Sequence, residues 1–342
     1  MPNLKLRVAM LGRSSVGKTS LLAVMYKFFS ETTAPTELRL STDPESEAIL
    51  EAHYQDLLKM IKYFEATDQG MTATDGPRDF TFTLDRKDWL GKRASLELEF
   101  IDLPGEYFGP KASTKEKEYC LNVVTNSGAV IITIDTLALM MGGGRFNEQV
   151  NEPKYITELI KTAYQDISEP RLVIFAPVKC ETFLQNGKDP AELVKALKTQ
   201  YDQLITRVLA PKAQNVAVVL TPVETIGCVV CGGWEEEKGR FKRWYLNKIH
   251  VDDAIETRYA DQPLRYLLLF LIKQYIDDKK NGDKKDGDKK DGDKKDGFWF
   301  KVNDFLQRYD DLKEALGRFA SGCRKVTPFE ILQGHNFFKI NR

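Results

Sequence analysis

The sequence predicts an α/β fold, a mostly parallel sheet flanked by helices. Apolar patterns of strand type and helix type alternate along residues 4–223, which favours parallel strands joined by helical crossovers. Three of the strand-type runs, 128–135, 171–178 and 215–223, are continuously apolar and rich in β-branched residues, as strands buried on both faces require. The first strand also runs straight into a glycine-bearing turn and then a helical pattern.

Taken in order, LKLRVAML (4–11) is a strand and KTSLLAVMYKFF (18–29) a helix. Residues 43–67 read as an inserted helix: Asp43-Pro44 is a good cap with proline in the first turn, and Ile49, Leu50, Leu57, Leu58, Ile61 and Phe64 share one face. DFTFTLDR (79–86) alternates as a strand, and SLELEFIDLPG (95–105) is a strand ending in a turn. Helical patterns over about 114–126, 148–168 and 189–209 separate the three buried strands. Beyond 223, WEEEKGRFKRWY (234–245) reads as an exposed hairpin or partner contact, and LRYLLLFLIKQYI (264–276) as a buried helix. Residues 279–297 repeat Lys, Asp and Gly without an apolar side chain, so nothing offsets the entropy of ordering them; a flexible loop is expected there. Residues 298–322 return to helical spacing, with Phe305, Tyr309, Leu312, Leu316 and Phe319 as the core face. The expected division is a domain over 1–223 and an extension of hairpin and helices over 224–342 packing on it.

Composition narrows the function. Apolar residues make up 42% and charged residues 29% of the 342, and Lys+Arg balance Asp+Glu at 50 each, which argues against a chain built for nucleic acid or an acidic membrane. Residues 264–276 are too few to span a bilayer and contain Arg265 and Lys273. Five cysteines, an odd number, and an N-terminal stretch without a signal-type apolar segment point to reduced thiols and a cytoplasmic location. Cys228 and Cys231 have C-x-x-C spacing, but there is no second such pair and the three histidines are scattered, so they read as apolar thiols rather than a zinc site.

Two motifs carry chemistry. GRSSVGKT (12–19) matches G-x-x-x-x-G-K-[ST] at every fixed position, between a strand and a helix. Gly12 and Gly17 permit backbone shapes closed to other residues. The amides of the loop and the helix N-terminus form an anion cradle running through Ser14, Ser15, Val16, Gly17 and on to Ser20. Lys18 can reach the β- and γ-phosphates, and the Thr19 hydroxyl can sit on Mg²⁺. FIDLPGE (100–106) then delivers Asp102 to the C-terminal end of a strand, where it can hold Mg²⁺ through a water. Three residues on, the Gly105 N–H can sense a γ-phosphate.

On GRSSVGKTS and DLPG the chain resembles the TRAFAC-class GTPases, the group of Ras-like, septin-like and dynamin-like proteins, through residues 4–223 by order of motifs rather than by extended identity. Its organisation also looks like that of bacterial GTPase-like proteins, some of them encoded in multi-gene conflict or defence systems. The resemblance implies a P-loop NTPase G domain that binds GTP and GDP with Mg²⁺, hydrolyses GTP slowly without help, and switches an unidentified protein partner. It places Glu106 where Ras-like proteins keep a water-orienting Gln; a carboxylate there could accept from water but would repel the γ-phosphate. Ser15 falls where dynamin-like proteins keep a Ser, and Arg13, Ser14 or Ser15 could assist catalysis. The switch threonine is expected at Thr74 or Thr72, with 31–42 as the alternative segment. The guanine reader is expected at Lys179 and Glu181: the lysine stem lies along the base, and the carboxylate accepts from the paired N–H groups of guanine's edge. Val178 stands where the family has Asn, Glu181 where it has Asp, and LTPVET (220–225) lacks the usual Ser-Ala-Lys. An ATPase of the same fold and a non-hydrolysing nucleotide-dependent scaffold are the competing readings.

Overall fold

A computed structural model describes residues 4–33, 38–61, 65–67, 76–86, 95–109, 111–185, 190–282, 298–308 and 310–339. The chain runs β1 (Leu4–Leu11), α1 (Lys18–Thr33), β2 (Leu38–Thr42), α2 (Pro44–Met60), β3 (Glu65–Thr67), β4 (Arg78–Arg86), β5 (Ser95–Asp102), α3 (Thr114–Thr125) and β6 (Ala129–Asp135). It continues through α4 (Thr136–Met140), α5 (Asn147–Val150), α6 (Pro153–Ala163), β7 (Arg171–Val178), α7 (Glu181–Leu184), α8 (Pro190–Gln200) and β8 (Val216–Leu220). The remainder is β9 (Val229–Glu237), β10 (Arg240–Lys248), α9 (Gln262–Gly282), α10 (Phe298–Arg308), α11 (Asp310–Ala320) and β11 (Glu330–Gln333).

Eight strands form the main sheet in the order β11-β8-β7-β6-β1-β5-β4-β2. Strands β8, β7, β6, β1 and β5 are mutually parallel, while β4, β2 and β11 join antiparallel. The expected mostly parallel sheet flanked by helices is what forms. Side chains alternate between two cores: Val8, Met10, Ile174 and Val219 pack on one face with α1 and the C-terminal helices, and Ala9, Ile132, Phe175 and Val218 on the other with α3, α6 and α8. Both faces are covered, which is why these strands read as unbroken apolar runs. The extension seals the first face through Leu267, Phe270 and Phe319, whose ring meets Phe29 of α1 edge-on at 4.5 Å. A second sheet, β3-β10-β9, stands beside the first.

Several boundaries differ from expectation. The inserted helix starts as read, with the Asp43 carboxylate accepting from the Ser46 N–H at 2.9 Å, but it ends at Met60. The chain then enters β3, where Ala66 pairs with Leu246 of β10; that ladder supplies the backbone partners a longer helix would have supplied. The helix expected over 148–168 breaks at Glu152, whose φ is +46°, and restarts with Pro153 in its first turn, where a missing N–H costs nothing. The helix expected over 189–209 gives α8 and then a wider π-type turn over Gln203–Leu209. Residues 298–322 form two helices rather than one, and Tyr309 between them lies outside the described residues. β2 and β11 are additions; the latter pairs Glu330 with Leu220 and Ile331 with Val219. α9 carries helix as far as Gly282 into the Lys/Asp/Gly repeat, and residues 283–297 lie outside the described residues. None of the described helices is long and apolar enough to cross a membrane.

Candidate functional site

The site forms at the carboxyl ends of β1, β5, β6 and β7, the edge at which open α/β sheets bind ligands. The loop after β1 is shaped by its glycines: a Cβ on Gly12, at φ +145°, would meet Val16 Cγ2 at 2.8 Å and the Thr133 carbonyl oxygen at 2.9 Å. Val16 is fully buried beneath the loop, and Ser15 takes a left-handed φ of +67°. Ser14, Ser15, Gly17, Lys18, Thr19 and Ser20 line one cavity together with Arg13, Gly105 and Lys179. Gly12 and Val16 support that lining from below.

Lys18 folds back over its own loop, donating to the Gly12 carbonyl at 2.8 Å and the Arg13 carbonyl at 3.3 Å. Burial lowers its pKa, and the carboxylates of Asp102 and Glu106 oppose that shift. Asp102 is wholly buried. Its Oδ2 accepts from the Thr19 hydroxyl at 2.6 Å, while Oδ1 has no hydrogen-bond partner and lies 3.9 Å from Lys18 Nζ. The turn after Asp102 presses on the P-loop, so that a Cβ on Gly105 would fall 1.7 Å from the Ser14 nitrogen. Only glycine allows that approach.

The two residues expected to read the base, Lys179 and Glu181, line one small cavity beside the P-loop cavity and take different hydrogen-bond partners. Lys179, at φ +55°, donates to the Ser15 carbonyl at 3.0 Å and to Asp135 Oδ2 at 2.7 Å, so its stem crosses the cavity wall. Glu181 is 3% exposed and does not line the P-loop cavity. Its Oε1 accepts from the backbone N–H groups of Ile226 at 2.9 Å and Gly227 at 3.2 Å. Burial raises its pKa, and these N–H bonds hold it down. Glu106 is exposed in the short helical turn after Pro104 and also lies off the cavity lining. Thr72 and Thr74 lie outside the described residues.

Sequence reasoning missed four contributors. Asp135 ends an apolar strand at the carboxyl edge just as Asp102 does, and that parallel was the available signal. Trp244 donates its indole N–H to Asp135 Oδ2 at 3.2 Å from the hairpin, and Ile226 and His53 line the cavity; no local pattern marks them. The described cysteines are all free, and among the described residues no group of three or more His, Cys, Asp or Glu could hold a metal.

A strand, a glycine-shaped anion cradle, a buried lysine and an aspartate behind the threonine of the first helical turn define a P-loop protein of GTPase type. The family described as Double-GTPase 2 matches residues 6–225, and the chain belongs to it. No curated protein matches the chain. Among solved structures it is similar to the S. cerevisiae Ski7 GTPase-like domain bound to GTP, at 13% identity and a TM-score of 0.36, over 64% of this chain and 43% of that one. The same domain bound to GDP and inorganic phosphate gives 12% identity and a TM-score of 0.35 over the same shares. The chain thus spans less than half the length of those Ski7 chains, and a likeness so slight carries no argument about this one.

Proposed function

We propose that the chain binds GTP with Mg²⁺, hydrolyses it to GDP and phosphate, and relays the nucleotide state to a protein partner. The observation that carries this reading is the buried Thr19–Asp102 pair beside Lys18, with the second Asp102 oxygen left without a hydrogen-bond partner. One hydroxyl and one carboxylate are too few ligands for a dedicated metal cage, but they suit a Mg²⁺ that takes its other ligands from phosphates and water. Bound there through Thr19 and Asp102, Mg²⁺ would supply charge neutralisation for the β- and γ-phosphates.

The chain's own groups do the rest. The amides of residues 14–19 hold the β-phosphate at the N-terminus of α1. Lys18 exchanges its loop carbonyls for phosphate oxygens, a move its depressed pKa does not prevent because anionic oxygens restore the charged form. Gly105, packed against Ser14, must step back to admit a γ-phosphate, and that step is the proposed switch. Glu106 orients water only after this turn moves, because it is exposed and lies off the cavity lining. Thr74 stays in the proposal as the switch threonine by sequence position alone. Lys179 flanks the base through its stem, and Glu181 positions the loop at Ile226 and Gly227 that closes the same end.

Binding of labelled GTP and ATP side by side, and steady-state phosphate release, test this reading with Lys18→Ala as control. GTP preference with Lys18-dependent release is expected. Equal use of ATP would make the chain an ATPase, Lys18-dependent binding without release a scaffold, and nucleotide binding unaffected by Lys18→Ala would overturn the proposal.

A further inference from the structure

The inserted helix α2 brings a histidine to the cavity. His53 is 6% exposed and lines the cavity with Lys18, Thr19 and Ser20. Its Nδ1 is buried and has no hydrogen-bond partner. Leaving a buried polar atom unpaired is unfavourable, and a helix interior has no need of histidine, so the fold alone does not account for this residue. Burial lowers the ring's pKa; the Asp56 and Asp102 carboxylates oppose the shift and Arg78 adds to it.

Leu57 and Met60 line the same cavity. Positions 53, 57 and 60 fall on one helical face, and seven residues of rise separate the ends by about 10 Å. The helix's direction is fixed at its C-terminal end, where the chain passes from Met60 into β3 and Ala66 pairs with Leu246. Leu246, Ile226 and Val178 line the apolar part of the cavity. His53 thus lies toward Lys18 and Asp102, and Met60 toward the apolar end.

We propose that α2 is a wall of the nucleotide site, in which His53 hydrogen-bonds the phosphate chain and Leu57 and Met60 cover the base. This rests on the nucleotide reading above and adds ligand contacts that neither motif supplies. It divides the ligand in two, and that division is measurable.

The test is calorimetric titration of the full chain, with Mg²⁺, by GDP and separately by pyrophosphate. His53→Ala is expected to weaken both ligands about tenfold, as loss of one hydrogen bond to a charged group does, and His53→Gln to recover part of the loss through its amide donor. Met60→Ala is expected to weaken GDP severalfold and leave pyrophosphate unchanged. A second measurement needs no variant. The chain has only three histidines, so histidine ring nitrogen signals are few. On adding pyrophosphate the His53 signal should shift, while those of the exposed His250 and His335 stay put. The inference is overturned if Lys18→Ala abolishes GDP binding while both His53 variants and Met60→Ala leave it intact, or if the His53 signal does not move. Equal losses for both ligands in Met60→Ala would also overturn it. If the unaltered chain binds neither ligand, the nucleotide reading falls first and this inference with it.

Discussion

Lys179 and Asp135 form an ion pair of 2.7 Å at the rim of the cavity, with the carboxylate 1% exposed. The same carboxylate accepts from the Trp244 indole and, through Oδ1, from the Ala138 N–H at the start of α4. One side chain therefore ties β6, β7 and the hairpin together, and through Lys179 it reaches the Ser15 carbonyl.

Asp135→Ala should cost about 3 kcal/mol of unfolding free energy, because it removes the anionic partner of Lys179 and the acceptors of the Trp244 indole and Ala138 N–H at once. Urea denaturation measures it. Asp135→Asn, which keeps an acceptor, should cost about half as much.

Gly105→Ala tests the proposed switch. The added methyl cannot coexist with the Ser14 nitrogen at 1.7 Å, so the turn and the P-loop must separate. Phosphate release should fall at least about tenfold, since displacements near an ångström at a reacting centre cost that much or more. GDP affinity should fall much less. Comparing the two quantities for the same preparation checks it.

Asp102→Asn tests the metal assignment. In the unaltered chain, chelation of Mg²⁺ by EDTA should weaken GDP binding about tenfold or more. In the variant, affinity with and without EDTA should be the same and low. A variant that kept the full EDTA response would place the metal elsewhere.

Glu224 gives a pH signature. Burial raises its pKa from 4.5 to about 7, the Glu181 and Glu256 carboxylates add to the rise, and the Gln185 hydrogen bond and Arg258 oppose it. The folded chain therefore holds a proton that the unfolded chain releases above 4.5. The stabilisation is fully present below pH 4.5 and is lost as pH rises through about 7, by roughly 3 kcal/mol. Glu224→Gln should flatten this slope and exceed the unaltered chain in stability above pH 7. Denaturation curves across pH 4.5–8 measure it.

The parts of the molecule legible in its sequence are those whose physics is local. The glycines of the P-loop, the run that carries Asp102 to a strand end and the doubly buried strands each announce themselves within about ten residues. What stayed hidden depends on partners distant in sequence. β3 is three residues long and exists because β10 offers it a ladder. Glu181 sits two positions after Lys179, and the amides of Ile226 and Gly227, 45 and 46 positions away, bond one oxygen of its carboxylate, which no local pattern shows. His53 has no distinguishing local pattern on the inserted helix; the fold makes it line one cavity with Thr19 and Ser20.

The last strand has a bearing on how the protein is made. β8 is buried on both faces, and among the described residues its outer edge pairs with β11. At a synthesis rate of roughly 5–20 residues per second, the about 110 residues between Leu220 and Glu330 delay that pairing by roughly five to twenty seconds. Throughout this interval the nascent chain offers an open, apolar strand edge to any neighbour on the same message, a template for mispairing. The hazard of aggregation during translation is thus set by the length of chain between two paired strands, and slower elongation through residues 221–329 would lengthen it without altering the finished protein.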